Sequence, residues 1–260
     1  MSEHFSDRTI MMLGDRGYAR LRGARVAIFG IGGVGGYAVE ALARAGVGSL
    51  DLIDSDRVSV SNINRQIIAT ESTVGKYKTE AAKDRIASIN PECRVTTHNV
   101  FFSEETLDNF DFDSYDYILD AIDSVSSKVE LISAANSHGV PIISAMGAGN
   151  KLDPTKFKVS DISKTAVCPL AKAVRIALRK RGINHLKVVY SEEEPIRVPD
   201  NRGIGDRVNN NSTDTLSAKD SYDKRRAPGS ISFVPSVMGL ILAGEIIKDI
   251  SGIREQKNEN

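Results

Sequence analysis

The residues most able to do chemistry lie in the first third of the chain, beginning with a glycine-rich run. Residues 30–36 read Gly-Ile-Gly-Gly-Val-Gly-Gly and separate an apolar segment from an amphipathic one. In such a loop Gly30 permits a tight turn, Gly32 lets the backbone approach a phosphate, and Gly35 lets a helix pack closely on a strand. Because the N-terminus of the next helix offers N–H donors and a positive potential, this run predicts a bound phosphate group.

A carboxylate and two cations farther along narrow the ligand to a nucleotide. Asp54 ends the second apolar segment, about 20 residues beyond the glycines, where a nucleotide site places the acid that accepts ribose hydroxyls. The glycines and Asp54 do not distinguish a dinucleotide from ATP, because both contain ribose and phosphate. Arg65 and Lys78 favour ATP, since a triphosphate carries more charge than one helix terminus neutralises.

The order of the surrounding segments predicts the fold that holds these residues. Between residues 25 and 145, short apolar runs alternate with amphipathic stretches. That alternation predicts an α/β fold with a doubly wound, Rossmann-like, mostly parallel sheet and helices on both faces. In such a sheet the ligand binds outside the carboxyl ends of the strands. The predicted strands are residues 26–29, 50–53, 94–100, 117–119 and 141–143, and the predicted helices are residues 34–46, 74–89 and 125–138.

Asp123 follows the predicted strand 117–119 and is therefore expected at the ligand crevice. A carboxylate is a suitable ligand for Mg²⁺, which phosphoryl-transfer sites commonly hold. The same residue could instead cap the helix that begins near Val125. Asp120, three residues earlier, could equally well serve the structure, and Asp123 could fill both roles.

The pattern divides the chain into three regions. Residues 1–24 predict an N-terminal helical segment, residues 25–150 an ATP-binding core, and residues 151–260 a C-terminal extension of the same domain that would bind the substrate. Within the extension a helix is expected to begin near Pro169. The segment at about 200–229 is rich in Asn, Ser, Asp and Gly and lacks periodicity, so we expect a mobile surface loop.

The composition excludes several classes of protein. With 41% apolar and 26% charged residues the chain is neither collagen-like, mucin-like nor wholly disordered. The apolar run 234–247 is too short for a membrane span and contains Pro235 and Glu245, so we expect a buried helix and no membrane partner. Cys93 and Cys168 cannot supply a disulfide framework or a four-thiolate zinc site, which together with the lack of an export signal favours the cytoplasm.

The motifs taken together resemble those of the ubiquitin-activating-like adenylating enzymes, a family that includes the enzymes that adenylate sulfur-carrier proteins. The resemblance runs from about Phe5 to Asn150. It implies ATP and Mg²⁺ as cofactors and a homodimer to which the N-terminal segment contributes. The motifs that carry it are Gly30-x-Gly32-Gly33-x-Gly35, Asp54-x-Asp56, Ser61-Asn62-x-Asn64-Arg65-Gln66, Gly75-x-x-Lys78 and Asp120-x-x-Asp123.

The same resemblance implies a role for each motif. Arg65, Lys78 and Asp123 would form the catalytic centre, with Asp123 holding the metal. Arg8 would reach the ATP phosphates of the neighbouring subunit; a solvated charge on a frayed N-terminal helix is the alternative. The implied nucleotide ligands are Gly30, Gly32, Gly33, Gly35, Asp54, Asp56, Asn62, Arg65, Gln66, Lys78 and Asp123.

Within this family the chain is more similar to the enzymes that dehydrate threonylcarbamoyladenosine in tRNA. The similarity extends to roughly Arg181 and implies adenylation of the threonyl carboxylate, followed by ring closure within the substrate. An internal nucleophile makes an enzyme thiol unnecessary, so we leave Cys168 outside the site. The segments that carry the similarity are residues 64–67, 89–95, 120–125, 147–149, 153–155 and 161–165.

A tRNA substrate requires cations, and one stretch of the chain supplies them. Residues 162–191 contain seven Lys or Arg and no Asp or Glu. Several of these on one helix face would bind phosphates in a salt-dependent way, whereas an ordinary solvated surface is the alternative. The candidate tRNA-binding residues are Lys172, Arg175, Arg179, Lys180 and Arg181.

Three other functions stay open at this point. The first is adenylation of the C-terminus of a ubiquitin-like sulfur-carrier protein, which would make a sulfur-relay or carrier protein the partner. The second is an NAD-dependent oxidoreductase, because the glycine loop and Asp54 also suit a dinucleotide. The third is a nucleotide-sensing module without catalysis.

Overall fold

A single sheet carries the candidate residues at the carboxyl ends of its strands. The computed structural model describes residues 4–196 and 228–253, and within these residues seven strands form the sheet. The strands are β1 (Arg25–Phe29), β2 (Ser49–Ile53), β3 (Arg94–His98), β4 (Tyr117–Asp120), β5 (Ile142–Ala145), β6 (Phe157–Asp161) and β7 (Lys187–Ser191).

The order of the strands creates a switch point between β1 and β4. Across the sheet the order is β3-β2-β1-β4-β5-β7-β6, and every neighbouring pair is parallel except β6 and β7. From β1 the chain moves outward through β2 and β3 and then crosses to the other side of β1 for β4. A doubly wound sheet binds its ligand in the crevice at this point. The predicted fold class is confirmed.

The central strands are apolar on both faces because helices cover both sides of the sheet. Successive side chains of β1 point to opposite faces. Val26 and Ile28 belong to one apolar core, whereas Ala27 and Phe29 belong to the core on the opposite face. This explains why β1 reads as a continuous apolar run.

Six helices of the described residues cover the sheet. α2, α3 and α6 contribute to the apolar core on the face of the sheet that carries Val26. α4 contributes to the core on the opposite face, which carries Phe29, and packs on α5. The helix predicted at residues 74–89 begins only at Lys78. Gly75, with a positive φ of 87°, belongs to a short turn that precedes the helix. The helices are α1 (Asp7–Gly23), α2 (Gly35–Ala45), α3 (Lys78–Ile89), α4 (Val125–Ser137), α5 (Pro169–Arg179) and α6 (Phe233–Ser251).

The apolar run near the C-terminus forms the buried helix α6, as the sequence predicts. α6 crosses α2 very closely: a Cβ added at Gly239 would lie 2.3 Å from the carbonyl oxygen of Val34. Pro235, near the start of α6, consequently lies beside the glycine-rich loop, within 3.4 Å of a Cβ built at Gly33. Within the described residues, no helix is long and apolar enough to cross a membrane.

The C-terminal region extends the same sheet. β7 pairs with β5, and β6 pairs with β7 as the antiparallel edge strand. Of the expected mobile loop at about 200–229, residues 200–227 lie outside the described residues, whereas 228–229 are described and approach the residues that follow β5. The C-terminal region therefore reaches the same edge of the sheet as the glycine-rich loop.

Candidate active site

A cavity of about 540 Å³ opens at the switch point. It contains almost every residue that the sequence analysis assigns to the nucleotide. Gly35, the first residue of α2, does not line the cavity, and neither does Arg8. The cavity-lining residues among the predicted ligands are Gly30, Gly32, Gly33, Asp54, Asp56, Asn62, Arg65, Gln66, Lys78 and Asp123.

Two contacts of the backbone form the floor of the cavity. Gly30 has a φ of 91°, and a Cβ at this position would lie 2.7 Å from the carbonyl oxygen of Ala121. A Cβ at Gly35 would lie only 1.8 Å from the carbonyl oxygen of Gly30. No side chain fits at either position, so the start of α2 and the end of β1 are in direct contact. The N-terminus of α2 is thereby aimed at the cavity, where its N–H groups suit an anion.

The carboxylate of Asp54 is fixed at the end of β2. One oxygen accepts a hydrogen bond from the backbone N–H of Ile31 at 2.7 Å, and the other accepts from the N–H of Asp56 at 2.8 Å. Burial raises the pKa of Asp54, an effect that the nearby Lys78 ammonium opposes. Because each carboxylate oxygen has two lone pairs, the group can also accept hydroxyl groups from a ligand.

Lys78 stands in the first turn of α3 and is 7% exposed. Its Nζ lies 2.6 Å from Oδ2 of Asp56 and 3.7 Å from Oδ2 of Asp54. The side chain of Asp56 is 67% exposed, so this carboxylate can turn to solvent when an anion takes its place. Lys78 is therefore a buried cation at the cavity wall, and the carboxylates of Asp54 and Asp56 position its ammonium group.

The side chains of Arg65 and Gln66 lie close to the glycine-rich loop. A Cβ at Gly33 would lie 3.4 Å from Cγ of Arg65, and one at Gly32 would lie 3.9 Å from Nε2 of Gln66. Oε1 of Gln66 is buried and has no hydrogen-bond partner among the described residues. Since buried polar atoms are nearly always paired, this oxygen indicates a donor supplied by a ligand or by water. Nε2, the donor of the same amide, faces the loop where a phosphate would lie.

Asn62 and Asp123 complete the polar lining. Oδ1 of Asn62 accepts a hydrogen bond from the N–H of Ser59, which fixes the turn that precedes Arg65. Asp123 is exposed in the loop between β4 and α4 and has no hydrogen bond or ion pair with the described residues. The N-cap position of α4 is Ser124, so the alternative that Asp123 caps the helix does not hold.

The donor set fits a metal that is bound mainly through a nucleotide. Among the described residues no group of three or more His, Cys, Asp or Glu could hold a metal ion. Mg²⁺ usually keeps several waters and is bound through one or two carboxylates together with substrate phosphates. Asp123 alone therefore suits Mg²⁺ only when phosphate oxygens supply further ligands.

Sequence reasoning missed the buried partner of Asp120. Lys128 on α4 is fully buried, and its Nζ donates to Oδ2 of Asp120 at 2.8 Å and to the carbonyl oxygen of Ala145 at 3.0 Å. The other oxygen of Asp120 accepts from the N–H of Ile122. This ion pair fixes the loop that carries Asp123. A lysine within the helical run 125–138 gave no signal, because its partners come from β4 and β5.

Sequence reasoning also missed the apolar and C-terminal walls of the cavity. Several apolar side chains near Asp54 form a pocket suited to a flat base. The opposite wall comes from residues after β5 and around the start of α6. The residues concerned are Ile53, Val100, Phe101, Phe102 and Ile122 on the apolar side, and Ala148, Gly149, Pro228, Ser230 and Pro235 on the C-terminal side.

The five candidate tRNA-binding cations differ in their surroundings. Arg175 donates to the carbonyl oxygens of Ile162 and Thr165, and Arg181 forms an ion pair with Glu130. These two side chains have structural partners that a count of charges along the sequence cannot show. Lys172, Arg179 and Lys180 are exposed. Lys172 and Arg179, seven positions apart, lie on one face of α5, and Lys180 is the residue that follows the helix.

Two further residues lie away from the cavity. Arg8 is exposed near the start of α1 and does not line the cavity of its own chain. Cys168 is buried and does not line the cavity. Its position agrees with its exclusion from the candidate site.

Comparison with known proteins places this geometry in a family. The ThiF family model matches residues 6–260. A Bacillus subtilis protein named tRNA threonylcarbamoyladenosine dehydratase is 42% identical over 248 residues, which cover 95% of this chain and 94% of the relative. The crystal structure of E. coli tRNA N6-threonylcarbamoyladenosine dehydratase in complex with ATP has a TM-score of 0.81 at 30% identity. The match covers 96% of this chain and 95% of the E. coli chain.

A second kind of relative matches a shorter part of the chain. The molybdopterin-synthase adenylyltransferase of Salmonella typhimurium is 39% identical over 128 residues, which cover 49% of this chain and 51% of that protein. The resemblance inferred from the sequence motifs is confirmed.

We predict that Lys128→Met lowers the free energy of unfolding by about 3–5 kcal/mol, because the carboxylate of Asp120 would stay buried without its cation. Urea denaturation measures the change. Lys83→Met, which removes an exposed lysine of α3, should change the stability by less than about 0.5 kcal/mol. Adding Asp120→Asn to Lys128→Met should recover part of the loss. Equal stability of the Lys128→Met variant and the wild type would contradict the proposed importance of this pair.

Proposed function

This chain belongs to the ThiF family, and from that premise we propose that it adenylates the carboxylate of threonylcarbamoyladenosine in tRNA with ATP and then closes the product into a ring. The observation that carries the proposal is the extent of the similarity. The dehydratase of B. subtilis matches over 95% of the chain, whereas the sulfur-carrier type of enzyme matches over 49%. A match over 95% of the chain includes most of the C-terminal half, which would meet the substrate. A tRNA substrate also supports a cytoplasmic location.

The chemistry explains why ATP is needed. A carboxylate is a poor electrophile because oxide would be its leaving group. In the first step a carboxylate oxygen forms a bond to the α-phosphorus of ATP, and the bond to pyrophosphate breaks. In the second step a nucleophile of the threonylcarbamoyl group attacks the activated carbonyl carbon, and AMP leaves. Because both reacting groups belong to one molecule, positioning can replace an enzyme nucleophile.

The cavity offers a partner for each part of ATP. The apolar pocket beside Phe102 suits adenine, and Asp54 suits the ribose hydroxyls. The loop at Gly32 and the cations Arg65 and Lys78 suit the phosphates, where they would stabilise the negative charge that develops during transfer. Mg²⁺, held by Asp123 and phosphate oxygens, would neutralise further charge.

We place the tRNA backbone along α5. Lys172 and Arg179 share an exposed face of α5, and Lys180 is exposed directly after the helix. The helix begins beside the residues that follow β5, since a Cβ at Gly147 would lie 3.7 Å from Sγ of Cys168. The basic face therefore begins near the cavity. Cations arranged in this way bind phosphates without reading sequence, which suits an enzyme that recognises a modified base.

We also propose that the enzyme is a homodimer. α6 presents an apolar stripe, with Phe233 and Leu240 exposed and Val237 and Ile241 partly buried, and helical spacing places all four on one face. An apolar helix face that stays partly exposed in one chain suits contact with a second copy. A two-fold interface would let Arg8 reach the partner's phosphates.

Pyrophosphate exchange into ATP tests the proposed function. Exchange stimulated by tRNA that carries threonylcarbamoyladenosine, followed by loss of water from the modified base, is the expected result. The stimulation should weaken steeply as salt is raised, because tRNA binding depends on phosphate contacts. Exchange stimulated instead by a Gly-Gly-ended carrier protein would identify a sulfur-carrier enzyme. Hydride transfer without exchange would identify an oxidoreductase, and nucleotide binding without either reaction would identify a sensor.

Lys78→Ala should slow exchange by about 10²–10³-fold, the loss typical of removing one preorganised donor at a developing charge. Arg65→Ala and Asp123→Ala should each slow exchange to a similar extent. Lys83→Ala, on the exposed face of the same helix as Lys78, is the matched control and should retain full activity. Full activity of a folded Lys78→Ala variant would remove this residue from the proposed centre.

Mixed dimers test the role of Arg8. Subunits with Arg8→Ala and subunits with Asp123→Ala should each be inactive alone. In a mixed dimer the Arg8→Ala subunit keeps Asp123 and receives Arg8 from its partner, so one site should regain activity. No recovery in verified mixed dimers, or full activity of a strict monomer, would reject a role across the interface.

A further inference from the structure

Asn64 makes two contacts that join separate walls of the cavity. Its Nδ2 donates to the carbonyl oxygen of Ser230 at 3.0 Å, and its Oδ1 accepts from Nη1 of Arg65 at 2.9 Å. A carbonyl oxygen can only accept and a guanidinium can only donate, so the two contacts fix the orientation of the amide. The sequence motif contains Asn64, but neither the nucleotide nor the tRNA assignment uses it.

Ser230 belongs to a wall segment, residues 228–230, that is anchored independently. The N–H of Asn150 donates to the carbonyl oxygen of Gly229 at 2.8 Å, and the N–H of Gly229 donates to Oδ1 of Asn150 at 2.6 Å. A Cβ at Gly149 would lie 2.7 Å from Cβ of Pro228, so the two segments are in contact. The wall segment is thus fixed to the chain that follows β5.

Arg65 is held by one of its three nitrogens. Nη1 donates both to Oδ1 of Asn64 and to the carbonyl oxygen of Ser61, each at 2.9 Å. Nε and Nη2 have no acceptor within the described part of the chain, which leaves them available to a phosphate. The orientation of these free donors depends on what holds Nη1, and Asn64 is the one side chain among the described residues that does so.

We propose that Asn64 is a positioning residue that couples the C-terminal wall of the cavity to the phosphate-binding edge of Arg65. The wall segment holds the amide of Asn64, and this amide orients the guanidinium. The free N–H groups of Arg65 are then directed at the phosphates before ATP arrives, which lowers the cost of ordering the side chain upon binding. This inference rests on the ATP site of the proposed function.

Equilibrium binding of ATP and of adenosine tests the coupling without requiring turnover. Asn64→Ala should weaken ATP binding about tenfold, the scale of one hydrogen bond to a charged group. Adenosine binding should be unchanged, because adenosine has no phosphate for Arg65 to contact. Asn64 is exposed, so the unfolding midpoint should not move. Asn136→Ala, at an exposed asparagine of α4, is the matched control and should alter neither affinity.

A double variant shows whether Asn64 acts through Arg65. If it does, Asn64→Ala/Arg65→Ala should bind ATP no more weakly than Arg65→Ala alone. Losses that multiply in the double variant, an equal loss of adenosine binding, or unchanged ATP binding by Asn64→Ala would each overturn the inference. A wild type that binds ATP but does not turn over modified tRNA would defeat the proposed function alone and leave this inference standing.

Discussion

The contact between the end of β1 and the start of α2 is the constraint on which the site depends. The carbonyl oxygen of Gly30 occupies the place that a Cβ at Gly35 would take, so Gly35 cannot carry a side chain. The carbonyl group of Ala121 closes the same space from β4. The floor of the cavity is therefore made of backbone from both sides of the switch point. The loops that carry Asp54 and Asp123 reach this floor from the two neighbouring strands.

Charge at the site is arranged in compensated pairs. Lys78 lies between two carboxylates, and Asp120 is neutralised by Lys128 beneath the cavity. The two pairs differ in their exposure to solvent. The acid closest to Lys78 is exposed and can be exchanged for a phosphate, whereas Asp120 and Lys128 are fully buried and can only hold structure. The first pair therefore suits binding, and the second suits the shape of the loop that carries Asp123.

The sequence was sufficient to predict what depends on local pattern. Strands β1 to β5, the glycine-rich loop and Asp54 follow from apolar periodicity and from motifs with fixed spacing, and the fold class was correct. Strands β6 and β7 were not predicted. Asp120 illustrates the limit, because its partner Lys128 is recognisable only after α4 has packed on the face of the sheet formed by β4 and β5. Similarly, Arg175 looks like a free cation in the sequence until the folded chain brings carbonyl oxygens around it.

The C-terminal wall was also beyond the reach of sequence patterns. Gly229 and Ser230 of the wall form hydrogen bonds with Asn150 and Asn64, which are 79 and 166 positions away along the chain. No periodicity encodes such pairs. The roles of the individual ligands and of Arg8 stay predictions.

The unpaired oxygen of Gln66 links the stability of the protein to its ligand. A buried acceptor without a partner costs about 1–3 kcal/mol of folding free energy. A ligand or water that donates to this oxygen would return that free energy, and any ligand that binds only the folded chain raises stability further with its concentration. A nucleotide that binds only the folded chain at this cavity would consequently raise the free energy of unfolding.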